Sequence, residues 1–388
     1  MNSIAENDIS RPELLKLGTV RDILRSSGPC ITIVLPGYHP GESAGSPAVL
    51  LSSYIQEAAK ELAELRFGKS EGSNLLKPLE RMAKDPTLLS GSHGGRAIFR
   101  SPSVFAQFFL TQPACPSLNV GGSFAVRKLA AELIRPPVFH ILVLSKANVV
   151  LLRCAGFHTQ PVKLPQGVPD TLVEALALEP PDHDLEGRSA AGSAPGALHR
   201  IRFGTGSGRE KEQAHLADYY RLVDRALQTR LREPEAPLIL AGVEEDTAIY
   251  LHVSGCREIS RKCITGGFDI PREQAAILRQ AYSILHADSL ERQYKRLLTM
   301  KERITPSRWS TDPVAILRAA FDGRVDELYL DEAAERVDMY ERGAFRSWGR
   351  EDLLNLAAVQ TIAHHGKCYQ LPTEMMPDGS VAVGIMRF

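Results

Sequence analysis

Short apolar runs, "CITIVLPGY", "FHILVLSKANVVLLRCAG", "APLILAGV" and the alternating "RVDELYLDE", are separated by long stretches in which apolar residues recur every three to four positions. The runs have the length and β-branched content of buried strands, and the stretches between them have the period of helices that bury one face. Strands and helices that alternate along a chain fold as α/β layers, and the expected class is α/β with mixed sheets and flanking helices. The 388 residues leave room for two or three domains, and the divisions are placed at 1–133, 134–300 and 301–388.

The helical stretches can be placed in more detail. "PELLKLGTVRDIL" sets Leu14, Leu17, Val20 and Leu24 at helical spacing. Ser46 to Arg66 carries Leu50, Leu51, Tyr54, Ile55, Ala58, Leu62 and Leu65 on one side. Pro271 suits the first turn of a helix running to about Met300, and Asp312–Phe321 and Arg350–His364 complete the set. "RAIFRSP" and "VFAQFFL" read as strands, and "TQPACPSLNVGGSF" as loop. Ser145 to Asn148 reads as the turn of a hairpin. In the last domain Arg324–Asp331, Lys367–Pro372 and Ser380–Phe388 are expected as strands of one sheet, the last two forming a hairpin-like pair around Pro377-Asp378-Gly379.

Charge and cysteine usage exclude several classes. Lys+Arg and Asp+Glu are both 46, so no global basic signature of a nucleic-acid protein is present. The six cysteines include no Cys-x-x-Cys pair, which reads as reduced thiols and not as a zinc ribbon or disulfide frame. "MNSIAENDIS" lacks a signal pattern, and the most apolar stretch is interrupted by Ser145, Lys146, Asn148 and Arg153. No membrane partner is expected, and the expected location is cytoplasmic.

The chemistry must therefore be local, and the segment 182–208 is the place to look. It is rich in Gly, Ala, Ser, Pro and charge, has no clear period, and ends "RFGTGSGREK" directly before a helix read as starting after Gly208. Gly204, Gly206 and Gly208 do not make a P-loop, because Arg209 and Glu210 stand where Lys and Ser/Thr are required. They do not make a dinucleotide fingerprint either, since the spacing is G-x-G-x-G and no tight strand end precedes them. No nucleotide cofactor is expected. Between Arg188 and Arg232 nine basic residues face four acidic ones, a net charge of +5 in a neutral chain. Arg200, Arg202, Arg209 and Lys211 around a glycine tip suit a polyphosphate backbone. A flexible tip before a solvated helix face fits the same composition and, taken alone, is the simpler reading.

Other candidates are weaker. Neighbouring His364 and His365 point about 100° apart on a helix, and Asp182, His183 and Asp184 form a charged cluster of the kind that is usually solvated. No metal site and no catalytic residue is assigned. Tyr219 and Tyr220 are candidates for stacking on bases, with Tyr220 on the apolar face and better suited to the core.

Several stretches carry a family resemblance in their order: "YYRLVDRAL", "PLILAGVEEDTAIY", "ITGGFD", "AAFDGRVDELYLDE" and "LLNLAAVQTIAHHGKCYQLPTEMMPDGSVAVGIMRF". Over roughly residues 136 to 388 the chain resembles the bacterial relatives of the archaeo-eukaryotic peptide-chain release factors, the superfamily that includes Pelota and the Balon-like proteins. The resemblance implies three domains, the last an α/β/α sandwich like the kink-turn-binding ribosomal proteins. It implies the ribosome or tRNA as partner, with a translational GTPase as a further candidate. True release factors carry a Gly-Gly-Gln loop before the long helix of the middle domain. Here the loop reads "GTGSGRE", the nearest glutamine is Gln213, and the stop-codon signature Asn-Ile-Lys-Ser is absent. The expectation is a ribosome-associated translation factor for rescue, quality control or hibernation, acting at the aminoacyl site. The alternatives are a peptidyl-tRNA hydrolase that relies on backbone amides, and a scaffold without RNA affinity, for which the last 88 residues, with 11 basic against 14 acidic side chains, speak. ATP, GTP and NAD should leave the thermal midpoint unchanged; a shift of several degrees in a differential scanning experiment with any of them would contradict the absence of a nucleotide site.

Overall fold

The computed structural model describes residues 13–24, 26, 28–37, 47–65, 69–89, 94–136, 138–145, 148–164, 174, 205–230, 236–268, 270–334 and 352–388. The chain forms two compact units, one of residues 1–135 with 286–388 and one of residues 136–285. Three mixed sheets with helices on their faces make up the α/β fold.

The first segment contributes β1 (Glu13–Leu14), α1 (Leu17–Leu24), β2 (Cys30–Pro36), α2 (Pro47–Glu64), α3 (Lys69–Lys84), β3 (Gly95–Arg100), β4 (Phe105–Leu110), β5 (Ser117–Gly121) and the one-turn α4 (Ala130–Leu133). The sheet order is β1-β4-β3-β2-β5. Two readings of the sequence are corrected here. Glu13–Leu14 is not helical but pairs in parallel with Phe108–Phe109, so the first helix starts only at Leu17. The stretch read as loop contains β5, antiparallel to β2 from Cys30↔Gly121 to Val34↔Ser117. Its Leu118 and Val120 alternate with polar residues and pack beside Ile31, Ile33, α2 and α3, a period-2 signal masked by the flanking Pro and Gly.

The middle segment contributes β6 (Phe139–Leu144), β7 (Val149–Ala155), β8 (His158–Val162), α5 (Thr205–Arg230), β9 (Leu238–Gly242), α6 (Glu244–Val253), β10 (Ile264–Thr265) and the first half of α7 (Ile270–Arg303). The sheet order is β10-β9-β6-β7-β8. The expected hairpin is present: β6 and β7 pair antiparallel, and Ser145 N–H donates to the Asn148 carbonyl at 3.1 Å. Phe139, Ile141 and Val143 face α7, whereas Leu142 and Leu144 face α5 and α6. Both faces of β6 are buried, which is why its sequence runs apolar without alternation.

The last segment contributes the second half of α7, β11 (Trp309–Ser310), α8 (Pro313–Phe321), β12 (Val325–Asp331), α9 (Leu353–Ala363), β13 (Lys367–Leu371) and β14 (Ala382–Met386). The three expected strands lie in one sheet, ordered β11-β14-β12-β13. β13 and β14 do not pair with each other as a hairpin would; they flank β12, parallel and antiparallel to it. The turn between them places Asp378 at φ 56 and Gly379 at φ 68, the left-handed backbone expected of Asp-Gly. α8 and α9 cover one face of this sheet over Leu328 and Leu330. Leu297 of α7 covers the other over Tyr329, Val383 and Ile385. A register shift between Val325 and Glu327 lets Val325 join Leu328 on the α8–α9 side and turns Glu327 towards α7. There Arg296 grips the buried Glu327 carboxylate through Nε at 2.8 Å and Nη2 at 2.5 Å, and Tyr329 donates its hydroxyl to it at 2.8 Å. That hydrogen-bonded pairing raises the Arg296 pKa. Burial, and then Glu327, push the Tyr369 phenol up to about 12.

α9 explains why the first and last segments fold as one unit. Its sequence, "LLNLAAVQTIA", is apolar all round, and every residue from Leu353 to Val359 is buried. A helix without a polar face needs cover on both sides. One side is the sheet with β12; the other is the first segment, where Val20, Phe99, Phe124, Val126 and Leu129 belong to the same apolar core. The one polar side chain in that run, Asn355, is fully used across the seam. Its Oδ1 accepts from Val126 N–H at 2.8 Å and Arg127 N–H at 3.1 Å, and its Nδ2 donates to the Phe124 carbonyl at 2.9 Å. Arg127 pairs with Asp352 at 3.2 Å and donates to the Ala334 carbonyl at 3.0 Å. Asn355→Leu would strand two buried N–H groups and a carbonyl. We expect it to destabilise this unit by roughly 3 kcal/mol or more, read as a lowered urea midpoint; an unchanged midpoint would show that the seam is not a stability determinant.

Candidate functional site

α5 is the element on which the expected site was placed, and it starts earlier than its glycines suggest. Thr205 is already helical, so Gly206 and Gly208 lie in the first turns of α5 and not in a tip before it. Glycine in a helix costs up to about 1 kcal/mol relative to alanine, but Arg209 to Ala214 are strong helix formers that carry the helix back through it. The first-turn N–H groups, which have no intrahelical acceptor, therefore belong to the glycine stretch. Arg209 and Lys211 are on the same helical backbone. Arg200, Arg202, Gly204, the remainder of 182–208 and the cluster Asp182–Asp184 lie outside the described residues.

From Gln213 onwards the helix has two buried faces. Gln213, Ala214 and His215 are exposed, and Gln213 Nε2 donates to Glu245 Oε1 at 2.9 Å, tying it to the first turn of α6. Leu216, Tyr219, Tyr220, Val223 and Leu227 pack into the core. This corrects the reading of Tyr219 as a base-stacking candidate: it is buried like Tyr220, with ring centroids 5.7 Å apart. α5 packs on the sheet and on α6 together, so two adjacent helix positions are covered. Tyr220 meets Tyr250 of α6 edge to face at 5.7 Å. Burial, then Asp246, then Tyr219 raise the Tyr220 pKa, so its phenol stays protonated and has no accessible role.

Sequence reasoning missed the polar hub of this unit, Asp224. It counted only as one of the acids set against the local arginines, although its neighbours Val223, Ala226 and Leu227 mark it as inward-facing. Its carboxylate accepts from Tyr250 Oη at 3.1 Å, Ser254 Oγ at 2.6 Å, Gly255 N–H at 3.0 Å and Gln228 Nε2 at 2.8 Å. Four donors satisfy a buried carboxylate. The hub fixes α6 and the start of the following loop against α5.

The remaining candidates are structural. His364 closes the end of α9, with Nδ1 2.9 Å from the Gln360 carbonyl, and His365 sits at φ 66. Among the described residues no three His, Cys, Asp or Glu side chains are placed to hold a metal. Cys154 and Cys368 are buried, and burial pushes both thiols up to about 12. A cleft of about 420 Å3 lies beside β5 and the N-terminus of α9. Four of its polar side chains are already engaged: Thr32 Oγ1 accepts Ala125 N–H at 2.9 Å, Arg127 pairs with Asp352, and Asn355 makes the seam bonds. No helix among the described residues is long and apolar enough to cross a membrane.

Two substitutions separate the roles of these side chains. Tyr220 Oη is buried without a hydrogen-bond partner, so Tyr220→Phe should leave stability within about 0.5 kcal/mol or raise it. Asp224→Asn should cost roughly 2 kcal/mol or more. Hydrogen exchange of the β9 amides reads both; equal protection in the two variants would contradict the assignment of Asp224 as the hub.

Residues 138–324 match the model of bacterial archaeo-eukaryotic release factor family 3. No curated protein matches the chain. Among solved structures, the archaeal translation termination factor aRF1 aligns at 12% identity over 97% of this chain and 99% of its own, with a TM-score of 0.24. Archaeoglobus fulgidus Pelota aligns at 10% identity over 98% and 94%, with a TM-score of 0.36. S. cerevisiae Dom34 aligns at 11% identity over 76% and 80%, with a TM-score of 0.29. Residues 138–324, which contain β6 to α8, are thus similar to the bacterial archaeo-eukaryotic release factors.

Proposed function

We propose that the chain is a ribosome-associated translation factor that occupies the aminoacyl site in rescue, quality control or hibernation and does not itself hydrolyse peptidyl-tRNA. The observation that carries this reading is the family match over 138–324 joined to the sequence at the start of α5. The match supports a translation role. α5 opens on Gly206 and Gly208 followed by Arg209 and Lys211, where a release factor has Gly-Gly-Gln, and the nearest glutamine, Gln213, is bonded to Glu245. A helix start rich in N–H donors and cations is suited to phosphate oxygens and lacks the side chain that positions the attacking water in release factors. The working divisions are 1–133, 134–300 and 301–388, with the ribosome or tRNA met by the segment 200–211 and a translational GTPase as a candidate partner of the last division.

The experiment is sedimentation of the tagged protein with 70S ribosomes from growing and from starved cells, for the parent and for the variant with Arg200, Arg202 and Arg209 changed to alanine. The parent should co-sediment. The variant should sediment less, and its binding should depend on salt with a slope lower by roughly one unit for each phosphate that is no longer neutralised. A parent that stays in the supernatant in both cell states would remove the translation reading. Unchanged affinity and slope in the variant would remove the arm.

A further inference from the structure

A second set of arginines stands away from the start of α5, on the loop that joins α6 to β10, "SGCREISRKC", Ser254 to Cys263. Its side chains sort into two layers. Cys256, Ile259 and Cys263 pack on the α5 side of the core, and Ser260 is buried. Arg257, Glu258, Arg261 and Lys262 are exposed. The backbone beneath them is fixed along its length. Ser254 Oγ and Gly255 N–H bind Asp224, and Cys256 N–H binds Ser254 Oγ at 3.2 Å. Leu238 N–H takes the Glu258 carbonyl and Ser260 N–H takes the Leu238 carbonyl, each at 2.9 Å, so the loop adds a short parallel bridge to β9. Lys262 N–H closes on Ser260 Oγ at 3.1 Å. One residue beyond the Asp224 hub, Arg225 is exposed on α5.

Arg225, Arg257 and Arg261 make no ion pair among the described residues, whereas Arg221, one turn before Arg225, is paired with Asp218 at 2.5 Å. A loop whose function was only to connect α6 to β10 would not need a carboxylate hub and a strand bridge under three exposed cations with one acid among them. We propose that Arg225, Arg257 and Arg261 form an RNA-phosphate contact surface of residues 136–285, separate from the start of α5. The proposal rests on the translation reading for its choice of RNA as the partner. The guanidinium fork matches two phosphate oxygens at once, and arginines held on a fixed backbone lose less freedom on binding than arginines on a floppy one. Contacts of this kind position a protein on RNA without reading sequence.

The test uses the full-length protein and a fluorescent RNA hairpin as probe. Dissociation constants are measured over a range of salt for the parent, for Arg225→Ala/Arg257→Ala/Arg261→Ala, and for a control that removes the same charge from the other unit, Lys16→Ala/Lys60→Ala/Lys84→Ala. All six positions are exposed, and thermal midpoints verify that the fold is kept. The arginine variant should bind about tenfold or more weakly, with a salt slope lower by roughly two units, and the lysine control should stay close to the parent. Equal slopes in parent and arginine variant, an equal weakening in the lysine control, or a parent that does not bind the hairpin at all would each overturn the surface. In the last case a partner that binds as an acidic protein takes the place of RNA. Co-sedimentation with 70S ribosomes separates this outcome from the translation reading. A parent that binds the hairpin but not ribosomes refutes the translation role and keeps the surface. A parent and arginine variant that sediment alike, with equal hairpin slopes, refute the surface and keep the role.

Discussion

The burial of α9 on both sides is the constraint on which the larger unit depends. Without a polar face, the helix can be stable only between two apolar layers, and the chain supplies them from segments separated by the whole of residues 136–285. The sheet with β12 is one layer; the first-segment core around Phe99 and Phe124 is the other. The polar seam of Asn355, Arg127 and Asp352 then fixes the pairing, since each of these groups is buried or nearly so and would be costly to leave unpaired. The consequence is a discontinuous unit with residues 136–285 inserted in it. At the insertion points Ile134 and Leu290 pack against one small core with Leu297, so the chain leaves and rejoins this unit at neighbouring places.

The inserted unit is organised around a different device. Its sheet is covered by α7 on one face and by α5 and α6 on the other, and the helices on the second face are joined through Asp224. That single carboxylate connects α5, Tyr250 of α6 and the first residues of the α6–β10 loop. The two arginine-bearing features of the unit, the start of α5 and the loop 254–263, are therefore attached to one rigid frame.

Much of this is legible in the residues. The alternation of apolar runs with 3.6-period stretches predicts the α/β class, and the doubly buried β6 announces itself by an unbroken apolar sequence. α9 states a further requirement, because "LLNLAAVQTIA" has no polar side and so demands a second covering layer; the identity of that layer, more than 200 residues away, is a tertiary fact that no local period contains. β5 is hidden because Pro116 and the pair Gly121-Gly122 outweigh its five-residue alternation. Glu13–Leu14 reads as helix by spacing alone and becomes a strand because a free sheet edge beside β4 is available. The glycines at 206 and 208 look like a flexible tip in isolation, yet the helix formers after them extend α5 backwards. Asp224 is invisible as a hub in the sequence because its four donors come from α6, the loop after it and the next turn of its own helix. The arrangement of Arg225, Arg257 and Arg261 needs the same three-dimensional information.

The measurement that bears most directly on the proposed function is an electron cryomicroscopy reconstruction of the chain bound to the 70S ribosome. Density is expected for residues 136–285 in the aminoacyl site, with the start of α5 directed at RNA and with Arg225, Arg257 and Arg261 within hydrogen-bond reach of ribosomal RNA phosphates. Density at a different ribosomal site, or in the aminoacyl site with the start of α5 facing solvent or protein, would contradict it.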